Sequence, residues 1–434
     1  MKIMRKMKIL HKNGETINLG GNNHTSFAFF LLPCLFSHFL IFFTATSTYA
    51  ENSVNLKLLF FKKISKENVF LSTPFTIKND IAVISQKKII IFSREKNWKE
   101  IEIEIGSSAI SEINKSNENS FLFCSDDSNV VKLGKFIEPK IFQLPFPCIS
   151  PPMQINGKIV SVDILGNICV YQDENSNEKI KNREDNENKK ENDLRSEEAK
   201  EEEEKLDLEC AELTEERKTY EPKILFPFTP KILTIGKFIL IPYENKIFAA
   251  SDDLKIKYPL SEIQNSNFIS FLGYENGNLV VATENKVVIF EVFESGDVVK
   301  IRKRSEISIK DIYGADFDGK KIATTSGEGI AVIDIEKNQI LKKKIKGVIE
   351  YSPPKIFGED KILFAARFGE KLGNIFGSRK NSLIIAEYKR EKPKIYFTKE
   401  IIVDSFPQHL MLDKNKLLFI TENGTLYAFS FTKY

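Results

Sequence analysis

The sequence predicts an all-β protein, a β-propeller of eight blades, with seven as the alternative count. Three observations predict it. An apolar run, a short polar turn and a second apolar run recur eight times after residue 50. These units start about 40 residues apart, save for one gap that holds an acidic tract and one unit with a long loop, and 40 residues is close to four strands' worth of chain. Helical periodicity is almost absent outside one acidic tract. A lone hairpin cannot bury both of its faces, so units of this length must stack, and a ring of four-stranded blades is the architecture that does so.

The first fifty residues stand apart. They carry Lys2, Arg5, Lys6, Lys8 and Lys12 against Glu15. Residues 27–43, FAFFLLPCLFSHFLIFF, follow without a formal charge. Small Thr48 and Ala50 precede Glu51 at the spacing of a cleavage site. This is the order of a secretory signal peptide. The alternative is an uncleaved signal anchor, with 27–43 as a membrane tether, although the run is short of the ~20 residues a span needs. Both readings place the remainder outside the cytoplasm: secreted, periplasmic or in a secretory lumen.

The first propeller segment covers 51–172 and the second 223–434. The repeated hairpins are 79–92, 119–133, 157–171, 236–250, 277–292, 319–334, 360–388 and 415–429. Val, Ile, Phe and Leu fill their arms, and Gly, Asn, Asp or Glu-Asn supplies the turns. Ring closure is expected from 54–64 pairing with 426–431 in one shared blade. Basic runs at 300–306 and 341–347 alternate with apolar residues and read as outer strands, where Lys blunts edge pairing.

Between the segments lies a charged low-complexity insertion, 173–222, with 20 acids against 10 bases. It breaks the repeat after the third blade. Its first half reads as disordered, and helix formers dominate from Leu194 to Lys218. The tract is a solvated expansion or an acidic arm for a basic partner. The chain's net charge of +3 conceals this layout. The first fifty residues carry +4, the insertion −10, and the propeller segments +9.

Scarce residues exclude much chemistry. His11, His24 and His38 lie in the export segment, leaving His409, which reads as a loop or surface residue. That removes His-dyad, Ser-His-Asp and multi-His zinc sites. Cys34, Cys124, Cys148, Cys169 and Cys210 form no C-x-x-C pair. Cys124 and Cys169 read as buried thiols, with a Cys148–Cys169 disulfide as an alternative, connectivity being open. No phosphate-binding or nucleophile-elbow motif occurs. Two N-glycosylation sequons start at Asn114 and Asn423.

Residues 331–347, AVIDIEKNQILKKKIKG, resemble the end of a repeat from the quinoprotein, or PQQ-like, propeller family. Residues 89–106 show the same layout with Trp98 in the family's Trp position, and 290–303 are a third copy. The resemblance covers 54–434 apart from 173–222 and implies the fold. It also implies a cofactor held by aromatic platforms, adjacent cysteines and calcium, but this chain has a single Trp and no adjacent Cys pair. It is therefore read as a divergent member without the cofactor. Members of that kind include the outer-membrane propeller lipoprotein of the barrel-assembly machinery.

The expected function is a non-catalytic protein-binding scaffold, a monomer or complex subunit. No cofactor, metal site or nucleic-acid partner is expected. Two alternatives stand beside it: an enzyme or small-ligand binder using the axial funnel, and a subunit of a membrane-associated assembly complex. Three or more titratable side chains converging near the axis would favour catalysis in the funnel, and a filled or apolar funnel would sink it. The candidate partner-contact loop is 367–381. It places basic Arg367, Lys371, Arg379 and Lys380 beside apolar Leu372, Ile375 and Phe376, in a loop too long for a simple turn.

Overall fold

The computed structural model describes residues 55–64, 72–172, 208–213 and 231–432, with breaks of up to four residues inside those ranges. The export segment and most of the acidic tract lie outside them. The described residues contain no helix and form an eight-bladed β-propeller. Blades 1 to 7 are antiparallel meanders whose strand order follows the chain, and blade 8 is completed by an N-terminal strand on its outer edge.

Blade 1 consists of Phe75–Ile77, Asp80–Ser85, Lys88–Ser93 and Lys99–Glu104. Blade 2 holds Asn114–Asn117, Ser120–Cys124, Asn129–Gly134 and Lys140–Gln143. Blade 3 holds Met153–Ile155, Lys158–Val162, Asn167–Gln172 and Leu208–Glu212. Blades 4, 5 and 6 begin at Leu233, Ser270 and Ile312. Blade 7 runs from Val348–Tyr351 to Lys394–Val403. Blade 8 takes Pro407–Asp413, Lys416–Thr421 and Thr425–Thr432 from the C-terminal part and Asn55–Lys63 from the N-terminal part. Asn55 pairs with Thr432 and Lys63 with Thr425. This is the expected closure of the ring.

The eight hairpins read in the sequence are the second and third strands of the eight blades. Those strands are covered on both faces, which makes them nearly continuous apolar runs. In Asp80–Ser85, Ala82 and Ile84 pack toward blade 2 while Ile81 and Val83 pack toward blade 8. The same sharing joins blades 2 and 3, 3 and 4, 4 and 5, 5 and 6, and 6 and 7. The core is thus a set of seams between blades rather than one central mass. Outer strands alternate instead: Val298–Ser308 exposes its Lys and Arg, and Gln339–Lys343 exposes Ile340 and Lys342.

A recurring device sets the tight turn after the second strand. In blades 2, 3, 5, 6 and 8 a short polar side chain, Ser125, Asp163, Thr283, Ser326 or Thr421, accepts backbone N–H groups of the turn. These donors would otherwise be orphaned beside the buried hairpin.

Three expectations are corrected. The acidic tract does not follow blade 3 but interrupts it. Residues 173–207 connect the third strand to the outer strand, and Leu208–Glu212 returns to pair with Asn167–Tyr171. Residues 208–212, expected to be helical, are therefore a strand, because the open edge of the third strand and a covalent link outweigh weak helix propensity. Cys124 and Cys169, read from sequence as buried free thiols with Cys148–Cys169 as the alternative pairing, are both in disulfides: Cys169 bonds to Cys210 and Cys124 to Cys148. Finally, His409 sits on the inner strand of blade 8, not in a loop.

Candidate functional site

In an antiparallel meander, the turns between second and third strands gather at one end of the ring. The connections from one blade's outer strand to the next blade's inner strand gather there too. The candidate loop belongs to this end. In blade 7 the second strand, Lys361–Phe368, and the third, Lys380–Lys389, are longer than their counterparts in blades 1 to 4. Their ladder continues past the ring to Phe368 opposite Lys380, and residues 371–372 and 375–376 pair beyond it as a further hairpin. The inner strand is split to follow this rise. Lys355–Phe357 pairs with the base of the second strand, and Val348–Tyr351 pairs with its extension. Pro353 and Pro354 fall in the gap, where neither can donate to the ladder. The long loop is therefore a raised arm made of sheet.

Arg367 anchors the arm. It is 8% exposed. Its Nη1 lies 3.0 Å from Glu350 on the inner strand, and Nη2 pairs with Glu422 in the adjacent turn of blade 8. Nε donates to Asn381 at 3.3 Å, and the guanidinium lies over the Phe406 ring at 4.6 Å. Only a planar cation with several fixed donors bridges two blades in this way. Arg367 was expected as an exposed contact residue, and it is instead a buried tie. Lys380 is likewise engaged, with Glu400 at 2.8 Å and over the Phe368 ring. Burial works to raise the Glu400 pKa, and the hydrogen bonds from Lys380 and Ser382 outweigh it, leaving the carboxyl below its ordinary value. Arg379 and the side chains of Lys371, Leu372, Ile375 and Phe376 lie outside the described residues. Flanking the arm, Ile349 and Ile402 are each 47% exposed.

A second constellation, which no local motif announces, lies at the axis. The inner strands of a propeller line its central channel. Glu112 and Lys231, just before the inner strands of blades 2 and 4, form an ion pair at 3.2 Å. Blade 3 separates these blades, so the pair spans part of the channel. Nearly half of each side-chain surface is open to solvent although the blades enclose both, so the channel admits water. Asp316 of blade 6 and Lys355 of blade 7 pair at 3.5 Å, and the Ile356 N–H donates to Asp316 at 2.8 Å. His409 completes the group from blade 8.

The five groups sense one another. Burial pushes the Glu112 carboxyl up, but Lys231, Lys355 and His409 outweigh it, and the net shift is downward. Glu112, and more weakly Asp316, hold Lys231 above its ordinary value against burial. Burial lowers His409, against the pull of Glu112, so its imidazole is neutral at neutral pH. Five titratable side chains at the axis meet the criterion set for the funnel. The cluster offers ammonium donors and carboxylate acceptors to a small polar ligand. Sequence reading missed it because its members come from short inner strands of five different blades.

Both sequons are structurally occupied. The Asn114 amide donates to the Pro152 carbonyl at 3.0 Å, and the Asn423 amide donates to Asp404 at 2.8 Å.

No protein-family model and no curated protein matches the sequence. Among solved structures the chain is similar to BamB from Moraxella catarrhalis, with a TM-score of 0.56 and 10% identity over 87% of this chain and 98% of that one. It is similar also to the computationally designed Ika8 protein, with a TM-score of 0.54 and 8% identity over 85% and 98%. At these identities the likeness is one of fold.

Proposed function

We propose that this chain is a non-catalytic propeller that works outside the cytoplasm and binds another protein through the end of the ring bearing the blade-7 arm. The observation that carries this reading is the construction of the arm. A loop that merely tolerates insertion does not need a continued ladder, a split inner strand and a buried arginine tied to two blades. An element that must present a fixed surface does, since preorganisation lowers the entropy cost of binding. Exposed Ile349 and Ile402 beside the arm supply apolar contact area. The basic and apolar segment 1–50 and the two disulfides support export, because disulfides persist in oxidising compartments.

The test is crosslinking mass spectrometry in the exporting cell, comparing wild type with a variant in which residues 370–379 are replaced by a two-residue turn. Crosslinks from Lys380 and Lys399 to a partner are expected in wild type and lost in the variant. An unchanged crosslink set overturns the reading.

The five axial groups favour a second reading, an enzyme or binder that holds a small polar ligand in the channel. The Lys231→Ala/Lys355→Ala double variant separates the two. It leaves partner crosslinks intact if the arm is the contact surface, and it abolishes ligand-dependent thermal shifts if the axis is a binding site.

A further inference from the structure

The two disulfides differ in accessibility. Cys124 and Cys148 are 0% and 7% exposed and lie within the seam between blades 2 and 3. Cys169 is also 0% exposed, but its partner Cys210 stands on the outer edge of blade 3 and is exposed. The strand carrying Cys210 has five residues, all paired with Asn167–Tyr171, and Cys169 and Cys210 are direct cross-strand partners at the centre of that ladder. The strand is reached through 35 residues, 173–207, where blade 1 uses five, 94–98. Beyond the ladder, Ala211 and Leu213 pack into the seam between blades 3 and 4, and Lys257 of blade 4 donates to the Glu212 carbonyl at 3.0 Å. A five-residue edge strand with so long a connection carries a large ordering cost for few contacts. The covalent bond at its centre offsets that cost.

We infer that the Cys169–Cys210 disulfide is a thiol-exchange site for a dithiol reductant, and that its reduction releases the outer strand of blade 3 and opens the seam to blade 4. The chemistry follows from the burial contrast. A thiolate of the reductant attacks Sγ of Cys210, the one exposed cysteine of the four, forming a mixed disulfide. The S–S bond breaks, and Cys169 leaves as a thiolate and takes a proton. The second thiol of the reductant then attacks its own sulfur in the mixed disulfide. The Cys210 thiol is released and the reductant departs as a disulfide, two electrons having passed to the protein. Cys124–Cys148 stays intact through this because neither sulfur is open to attack. The freed strand leaves the outward-facing backbone groups of Asn167–Tyr171 unpaired, the others staying bonded to Lys158–Val162, and the result is an edge that accepts another strand.

The experiment uses the full-length oxidised protein, folded, with limiting dithiothreitol. Samples are quenched with an alkylating reagent for peptide mapping and sampled in parallel for hydrogen exchange. Cys169 and Cys210 are expected to be labelled at least about tenfold faster than Cys124 and Cys148. Exchange across 167–172 is expected to rise on the same time course, while 120–134 is unchanged. Equal labelling of the two pairs overturns the proposal, as does alkylation of Cys169 or Cys210 before reductant is added. Protection across 167–172 that survives their labelling overturns it too. The Cys169→Ala/Cys210→Ala variant should show the reduced-state exchange pattern without reductant, and if it does not fold, the titration of wild type decides alone.

Discussion

Blades 3 and 7 both accept extra chain, and they hold it in opposite ways. In blade 7 the extra residues lie between the second and third strands, the two central members of the sheet. The ladder simply continues into them, and one buried arginine ties the extension to the next blade. In blade 3 the extra residues lie between the third and outer strands. There the ladder cannot continue, because only a single short strand remains to be added, and a disulfide brings it back. An insertion at the centre of a blade inherits cooperativity from its neighbours, whereas one at the edge depends on a local fastener.

The largest test of that contrast is Arg367→Ala. It strips the cation from Glu350 and Glu422 and the stacked plane from Phe406, and a loss of about 3–4 kcal/mol in denaturant unfolding is expected, the low end for a buried pair because both carboxylates are more than a third exposed. Arg367→Lys should recover less than half, since a point charge cannot bridge both carboxylates and stack on Phe406. An exchange-protected arm in Arg367→Ala would show that the ladder alone supports it.

Next comes the buried disulfide. Removing Cys124–Cys148, with its sequence separation of 24, should lower global stability by about 3 kcal/mol in the chain-entropy picture. Cys169–Cys210 closes a longer stretch, with a separation of 41, yet its removal should cost only about 1 kcal/mol globally. The released strand keeps its loop entropy in the native state as well as in the unfolded one, so the difference nearly cancels. If the longer loop proves the costlier, blade 3 is as cooperative as blade 7.

Between these two in size lies Asp163→Ala in the turn of blade 3. Asp163 is 0% exposed and accepts the Leu165 and Asn167 N–H groups, each at 2.9 Å. Losing that acceptor should cost about 2 kcal/mol, measured by thermal unfolding.

The smallest effect concerns the axis, which neither insertion touches. His409 is held below its ordinary pKa of 6.5. The unfolded chain therefore takes up the proton first, and stability declines as pH falls below about 6.5. Glu112, held below 4.5, contributes stability that is full above about 4.5, declines as pH falls below that, and is gone once pH has passed its lowered folded-state value. His409→Gln should flatten the upper window and, by removing one of the cations that hold Glu112 down, narrow the lower one, and an unchanged slope between pH 7 and 5 would count against burial of the imidazole.

Much of this was readable in advance, for specific reasons. Asp80–Ser85 with Lys88–Ser93 is obvious as a hairpin because both of its faces are buried, so nearly every residue is apolar. Inner strands such as Phe75–Ile77, with three residues, and outer strands such as Lys99–Glu104, with charges at alternate positions, leave far weaker traces. The candidate site was readable in position but not in role. The length and glycines of 367–381 marked an unusual element, while the burial of Arg367 depends on Glu422, 55 residues away in sequence. Nothing local distinguishes a Lys231 that crosses a channel from one that faces solvent.

By itself the sequence determined the repeat, because periodic burial of middle strands writes itself directly into residue order; it left eight blades or seven, and the closure of the ring followed from the logic of the fold, both being fixed by the strand pairing. Tertiary structure alone decided the rest. It chose which cysteines meet, it made a strand of 208–212, and it gathered Glu112, Lys231, Asp316, Lys355 and His409 at the axis. Each of those outcomes depends on residues that are distant in the chain and neighbours only once the ring has closed.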